Sequence, residues 1–184
     1  MQLTELEPET GAEMAVALIN SWDEYDREHE HLRDADVLRR WLRESGFPKA
    51  ADAVSDADVE RARELRSRLT AVFDSATRAE AVEALNAVVE ESGTPPRLEL
   101  VATAWAFRSW PDESEGLAFL APYAALGLLD VIRADGWERF GRCAGSPCRC
   151  VYIDRSRNRS RRFCCELCAD RVAQADYRRR RRTT

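Results

Sequence analysis

The sequence predicts a mainly α fold, in which a helical N-terminal domain with a short β-hairpin precedes a small cysteine-rich C-terminal unit. Apolar residues recur at helical spacing in five segments between residues 13 and 136. One further segment, residues 94–112, alternates as strands do. All six cysteines of the 184-residue chain lie between residues 143 and 168. We therefore assign residues 1–136 to the helical domain and residues 137–184 to the cysteine-rich unit.

The first two helices are predicted at residues 13–22 and 34–47. Asp34 or Asp36 can accept hydrogen bonds from the free N–H groups at the start of the second helix, and Gly46 can end it. The residues predicted to point inward are Met14, Ala17, Leu18 and Ile19 in the first helix and Val37, Leu38, Trp41 and Leu42 in the second.

The next two helices, at residues 55–76 and 77–93, have clearer start signals. The predicted caps are Ser55 or Asp56 for the first helix and a capping box of Thr77 with Glu80 for the second. The apolar stripes are Val59, Ala62, Leu65, Leu69, Val72 and Phe73 in the first helix and Val82, Leu85, Val88 and Val89 in the second.

Residues 94–112 favour one or two short strands that can form a hairpin. The mostly apolar segment 114–136 predicts a fifth helix, with a kink or a late start at Pro122. Its apolar run at residues 117–132 is too short and too interrupted to span a bilayer, and the acidic start of the chain does not resemble a secretory signal. We therefore expect a soluble, cytoplasmic protein with no membrane contact.

The net charge of −5 combines two opposite regions of the chain. From Arg142 to the end, 13 arginines and no lysine stand against four acidic residues, which gives a local charge of +9. The rest of the chain has 15 basic and 29 acidic residues and therefore a charge of −14. The basic unit indicates a polyanionic partner. The acidic domain could contact a protein partner, self-associate, or shield the basic unit in cis.

No pattern in the first 140 residues predicts catalysis. His29 and His31 are the only histidines, and residues two apart do not share a helix face. No cysteine lies near them in the sequence, so no Cys–His catalytic pair is predicted. The five tryptophans are interpreted as core or boundary aromatics.

The cysteine spacing predicts a structural zinc site. Cys143 and Cys148 form a C-x4-C pair, and Cys168 forms a second pair with either Cys164 or Cys165. Zinc prefers four tetrahedral thiolate or imidazole ligands. So small a unit needs its metal to fold, and a reducing cytosol disfavours disulfides.

The segments between and after the cysteine pairs complete this unit. CVYID (150–154) has the composition of a strand, and ELCADRVAQADYRRRRR (166–182) predicts a helix whose first turn supplies the last ligand. A cysteine knuckle, a short strand or hairpin and a ligand-bearing helix together predict a small treble-clef-like zinc finger.

The stretch CAGSPCRCVYIDRSRNRSRRFCCELCADR resembles the CGNR-type zinc finger of bacterial, often actinobacterial, proteins. In that family a C-x4-C pair precedes a segment like F-x-D-x-S-x-N-x-x-R-R-[FW]-C, and a last cysteine is followed by Gly-Asn-Arg. The matching residues are Cys143, Cys148, Asp154, Ser156, Asn158, Arg161, Arg162, Phe163, Cys164 and Cys168. The final triplet departs from the family pattern and keeps only Arg171.

Upstream, ALINSW (17–22) and VLRRWLRESGF (37–47) look like the helical domain that commonly precedes this finger in stress-induced transcriptional regulators. The resemblance implies that residues 1–136 are regulatory. It implies that Zn²⁺ is bound by Cys143, Cys148, Cys164 and Cys168. Cys150 and Cys165 would then be spare thiols beside the site. A shift of the helix start by one residue would put Cys165 in place of Cys164.

The arginines of the C-terminal unit are candidate contacts to duplex DNA, because guanidinium groups bind phosphates bidentately and can pair with guanine O6 and N7. The candidates are Arg155, Arg157, Asn158, Arg159, Arg161 and Arg162 in the loop and Arg171, Arg178, Arg179 and Arg182 on the predicted helix. Arg171, Arg178 and Arg182 share one helix face. Asp154 is interpreted as structural, holding the loop through bonds to the backbone.

These features together predict a DNA-binding transcriptional regulator whose zinc finger contacts duplex DNA through an arginine-rich loop and helix. One alternative is an RNA-binding zinc protein, although the unit has few aromatic residues for base stacking. The other is a redox-responsive zinc switch or protein-interaction module, because thiolates in a positive field are targets of oxidation. A zinc ion with four cysteine ligands has no open position for substrate, so no enzyme is expected.

Overall fold

The computed structural model describes residues 10–93, 97–101, 104–108 and 111–182, and within them it confirms the mainly α fold. The helices are α1 (Gly11–Ile19), α2 (Ala35–Glu44), α3 (Pro48–Ala53), α4 (Asp56–Asp74), α5 (Arg78–Glu91), α6 (Leu120–Asp135) and α7 (Glu166–Arg182). The strands are β1 (Arg97–Val101), β2 (Ala104–Arg108), β3 (Phe140–Arg142) and β4 (Val151–Ile153). Short 3₁₀ segments cover Glu113–Phe119 and Trp137–Arg139.

The helix starts follow the predicted capping chemistry. The Asp34 carboxylate accepts from the Val37 N–H at 2.9 Å, and α2 begins one residue later. Ser55 precedes α4, and its N–H and hydroxyl both donate to the Asp58 carboxylate. Thr77 Oγ1 accepts from the Glu80 N–H. The Glu80 carboxylate accepts from the Ala76 N–H rather than from that of Thr77, one residue away from the predicted capping box.

The predicted hairpin is confirmed, and α6 has the late start expected from its proline. β1 and β2 pair antiparallel, with Val101 opposite Ala104. Pro122 lies in the first turn of α6, where its missing N–H breaks no helical hydrogen bond. Glu115 and Gly116 in the preceding segment have non-helical backbone angles.

Among the described residues, Ser114–Asp135 has the length and composition of a membrane-crossing helix, with a mean hydropathy of 1.6 and a third of the segment buried. The continuous helix within it is α6, whose 16 residues extend about 24 Å, whereas a bilayer core is about 30 Å thick. α6 packs against α1 and α5 as a core helix of the domain.

The core of the helical domain contains α1 and α6 at very close approach. A Cβ atom on Gly127 would lie 2.2 Å from the Ala12 nitrogen, and one on Gly11 would lie 2.1 Å from the Tyr123 carbonyl oxygen. Glycine at both positions therefore lets the two backbones touch. The buried side chains that fill the core around this contact include Met14, Leu18, Trp41, Leu69, Leu85, Phe119 and Leu128.

The C-terminal hairpin of β3 and β4 packs onto the helical domain. Val151 and Ile153 are 1% and 9% exposed and belong to the same apolar cluster as the helices. Phe140 contacts Phe73 of α4, with ring centroids 5.0 Å apart. One strand of the cysteine-rich unit thus completes the core of the helical domain.

Candidate metal centre and nucleic-acid interface

The β3–β4 hairpin carries the first two cysteines of the candidate metal centre. The Cys143 N–H donates to the Cys150 carbonyl oxygen at 2.9 Å and so closes the turn between the strands. Within the turn the Ser146–Pro147 peptide is cis, and the Gly145 N–H points at Cys143 Sγ, 3.4 Å away. An N–H directed at a sulfur stabilises a thiolate there.

Four sulfur atoms converge between this turn and the start of α7. The Sγ atoms of Cys143, Cys148, Cys164 and Cys168 all lie within 4.8 Å of one another. Cys164 Sγ is 3.7 Å from Cys148 Sγ and 3.7 Å from Cys168 Sγ. Four sulfurs at the corners of a tetrahedron around one Zn²⁺, at about 2.3 Å each, are roughly 3.8 Å apart. The donor set and its spacing therefore fit a zinc ion.

Hydrogen bonds and burial shift the pKa values of the sulfurs in this cluster in opposite directions. Hydrogen bonds from Cys150 and then Cys164 lower the pKa of Cys148 far below its usual range. The bond with Cys148 raises the pKa of Cys164. Burial raises the pKa of Cys168 to about 12. Metal binding to such a cluster releases protons, because only thiolates bind zinc.

Cys165 lies at the edge of this cluster rather than within it. Its Sγ is 3.8 Å from Cys164 Sγ, but the group of four mutually close sulfurs includes Cys164 and not Cys165. The helix start explains this arrangement: α7 begins at Glu166, so Cys164 precedes the helix and Cys168 lies in its first turn.

The loop of residues 155–162, the arginine loop, is pinned by a buried carboxylate. Asp154 is 4% exposed, and its two oxygens accept from the N–H groups of Ser156 at 2.8 Å and Arg161 at 2.9 Å. The hydrogen bonds from Ser156 and then Arg161 hold the pKa of Asp154 below its usual range. Arg159 has a φ of 50° at the bend of the loop. Asp154 thus has the structural position expected from the sequence.

The Arg161 side chain is exposed but folds back onto the protein surface. Its guanidinium donates to the carbonyl oxygens of Phe163 and Cys164 and lies 4.8 Å from the centroid of the Tyr152 ring. The Tyr152 hydroxyl in turn donates to the Arg161 carbonyl at 2.6 Å. This side chain joins the arginine loop to the start of α7.

Three other candidate arginines contact the helical domain or the linker after it. Arg155 pairs with Glu13 at 2.9 Å. Arg159 donates to the Asp135 carbonyl at 3.2 Å. The Arg171 guanidinium stacks on the Tyr25 ring, 3.5 Å from its centroid.

The remaining candidates also lie at the surface. Arg157 and Arg178 are exposed and have no ion pair or hydrogen bond through their guanidinium groups within the described residues, and Asn158 is exposed at the loop bend. Arg162 is exposed and lies 5.5 Å from the Phe163 ring. Arg179 pairs with Asp176 of the same helix at 3.0 Å. Arg182 ends α7, and its side chain lies outside the described residues.

Asn20 joins the metal unit to the helical domain. Its side-chain N–H donates to the Val151 carbonyl at 3.0 Å, and its side-chain oxygen accepts from the Val151 N–H at 2.8 Å. Sequence reasoning missed this contact, and also Arg139, whose guanidinium donates to the carbonyls of Asp154 and Ser156. A polar Asn after the apolar ALI of ALINSW was the one signal that could have marked Asn20.

Two protein-family models match the chain. The family model for ABATE, described as "putative stress-induced transcription regulator", matches residues 12–135. The model for the CGNR zinc finger matches residues 139–181. A comparison with curated proteins gives no match. The two descriptions are those of a regulator and a zinc finger, not of enzymes. Because the first match covers about two thirds of the chain, the protein belongs to the ABATE family and carries a CGNR zinc finger after its helical domain.

Proposed function

We propose that this protein is a cytoplasmic, DNA-binding transcription regulator whose zinc-loaded finger contacts duplex DNA. The observation that carries the proposal is the arginine loop: a buried Asp154 carboxylate holds a run of arginines in a fixed conformation at the surface. A cationic loop fixed in this way loses less conformational entropy on binding phosphates than a free tail does.

The zinc ion in this proposal is structural. Cys143, Cys148, Cys164 and Cys168 would hold it, and four thiolates leave no coordination position open for water or substrate. Its contribution is to fix the start of α7 against the β3–β4 turn. Cys168 is the buried residue in the first turn of α7, whose later residues are mostly exposed, so the helix depends on this attachment.

The candidate arginines divide into two roles. We assign Arg157, Arg162 and Arg178, together with Asn158 and Arg179, to contacts with phosphates, because these side chains are exposed. Arg161 is assigned to holding the loop. Arg155, Arg159 and Arg171 reach DNA after exchange of their present partners. α7 extends about 26 Å over its 17 residues, a length suited to the major groove.

Fluorescence anisotropy of a labelled duplex across a salt series tests the proposal on the full-length, zinc-loaded chain. If about five phosphates are contacted, log Kd changes with log salt with a slope of about 4 to 5. The double variant Arg157→Ala/Arg178→Ala should reduce this slope by about 2. The control Arg133→Ala, an exposed arginine of α6, should leave it unchanged.

Two results would contradict the proposal. One is the absence of binding to any duplex at low salt. The other is binding that persists after a chelator has removed all zinc, since the finger would then play no part. Stronger competition by RNA than by duplex DNA would favour the RNA-binding alternative instead.

A further inference from the structure

A second group of metal-binding atoms adjoins the four-cysteine site. A carboxylate oxygen of Asp23 and the Sγ atoms of Cys148 and Cys150 all lie within 4.8 Å of one another. All three residues are buried, at 8%, 8% and 5% exposed. Cys148 belongs to both groups, so the two sets of donors share one sulfur.

The fold holds these donors together from opposite ends of the chain. Asp23 follows α1, and Cys150 precedes β4. The paired hydrogen bonds between the Asn20 side chain and the Val151 backbone fix the two segments against each other. The Tyr25 N–H, which donates to Asp23 Oδ1 at 2.9 Å, fixes the carboxylate. The donor geometry is therefore built into the interface between the two parts of the chain.

The donor types of this region suit a further cation. Four thiolates and one Zn²⁺ carry a net charge of −2. A carboxylate oxygen of the buried Asp23 lies within 4.8 Å of the Cys148 sulfur. Two sulfurs and one carboxylate oxygen are donors that Zn²⁺ and Cd²⁺ accept.

We propose that Asp23, Cys148 and Cys150 bind a second divalent, thiophilic cation, with the Cys148 thiolate bridging the two ions. The Cys150 thiol releases its proton to solvent as its bond to the metal forms. A groove of about 580 Å³ reaches Cys148, the donor that the two sites share, with Tyr25 and Gly145 among its other lining residues. With three protein donors the second ion has an open position for water, so it binds more weakly than the first.

The proposal rests on the four-cysteine zinc site and adds a metal to it. Equilibrium dialysis of the full-length protein against Cd²⁺, followed by elemental analysis, should give two ions per chain at saturation. Cys150→Ser and Asp23→Asn should each reduce the count to one. The matched control Cys165→Ser, which removes the other cysteine outside the four-sulfur group, should keep two.

Chelator competition gives an independent readout. Zn²⁺ should leave the wild-type protein in two phases, and the faster phase should be absent from Cys150→Ser and Asp23→Asn. A saturated wild-type count of one ion would overturn the second site, and so would a loss caused by Cys165→Ser but not by Cys150→Ser. Circular dichroism of each variant excludes misfolding as the cause. If the protein binds two ions but does not bind DNA, the proposed function is wrong and the second metal site still stands.

Discussion

At the residue scale, Asn20 stabilises the contact between the two parts of the chain, because its side-chain amide pairs with β4 as the backbone of a neighbouring strand would. It satisfies both the N–H and the carbonyl of Val151, which is 1% exposed. If the Asn20 amide is removed, the N–H and the carbonyl of Val151 stay buried but lose these hydrogen bonds. Each lost hydrogen bond costs about 1–3 kcal/mol of stability.

Asn20→Ala should therefore lower the free energy of unfolding by about 2–6 kcal/mol, from two such losses. Denaturant unfolding monitored by circular dichroism measures this change. Asn86→Ala, at an exposed position of α5, is the matched control and should change stability little. An Asn20→Ala protein as stable as the control would show that the pairing contributes nothing net.

The sequence predicts residue types at the site better than it predicts their partners. The spacing of the cysteines was sufficient for a metal site, but it left Cys164 and Cys165 open, because a shift of one residue in the start of α7 exchanges them. The arginines were recognised as surface cations. That the exposed Arg161 guanidinium folds back onto the protein depends on Tyr152 and on carbonyls brought close by the fold, and no local pattern shows this.

At the element scale, the helices predicted from caps and apolar stripes are present, and the structure contains one further helix, α3, that was not predicted. α3 was not predicted because Gly46 was interpreted as the end of a helix and no new start was recognised directly after it. Gly46 does end α2, with a φ of 86°, and Pro48 then begins a new helix at its first position. In the sequence alone, a proline that begins a new helix looks the same as a proline that follows the end of the previous helix.

The contact between α1 and α6 depends on two glycines. Gly127→Ala should destabilise the protein by about 1–3 kcal/mol or more, because its Cβ would lie 2.5 Å from the Gly11 carbonyl carbon and force the two helices apart. Thermal unfolding measures the effect. Ala134→Leu, which enlarges an exposed position of the same helix, is the control. Equal melting temperatures for the two variants would contradict the close approach.

At the scale of the whole molecule, the division of charge has a structural counterpart. Arg155 pairs with Glu13, and Arg142 pairs with Asp74 at 2.6 Å, so acidic residues of the helical domain hold arginines of the basic unit. Exposed pairs such as the first contribute little to stability. The Glu13 carboxylate can nonetheless compete with phosphates for the guanidinium group of Arg155, a candidate DNA contact.

Neutralising this competition should strengthen DNA binding at low salt. We expect Glu13→Gln to lower Kd a few-fold, and the difference should disappear at high salt, where such a pair is screened. Glu83→Gln, which removes the same charge from an exposed position of α5, is the control. An equal gain in both variants would indicate net charge rather than this pair. Deleting residues 1–136 would also remove the acidic residue that competes with DNA. It is a poorer test of this competition, because it removes Asn20 and the core partners of β4 as well.

The packing of β4 into the helical core also bears on how the chain folds during synthesis. The ribosome completes all the helices of the N-terminal domain before it reaches Val151 and Ile153. At about 5–20 residues per second, the interval between Asp135 and Ile153 lasts roughly one to four seconds. During that time the nascent domain exposes the apolar surface that β4 later covers. The core of the helical domain is therefore completed only once β4 has emerged, at the stage of synthesis when the first two candidate zinc ligands, Cys143 and Cys148, also become available.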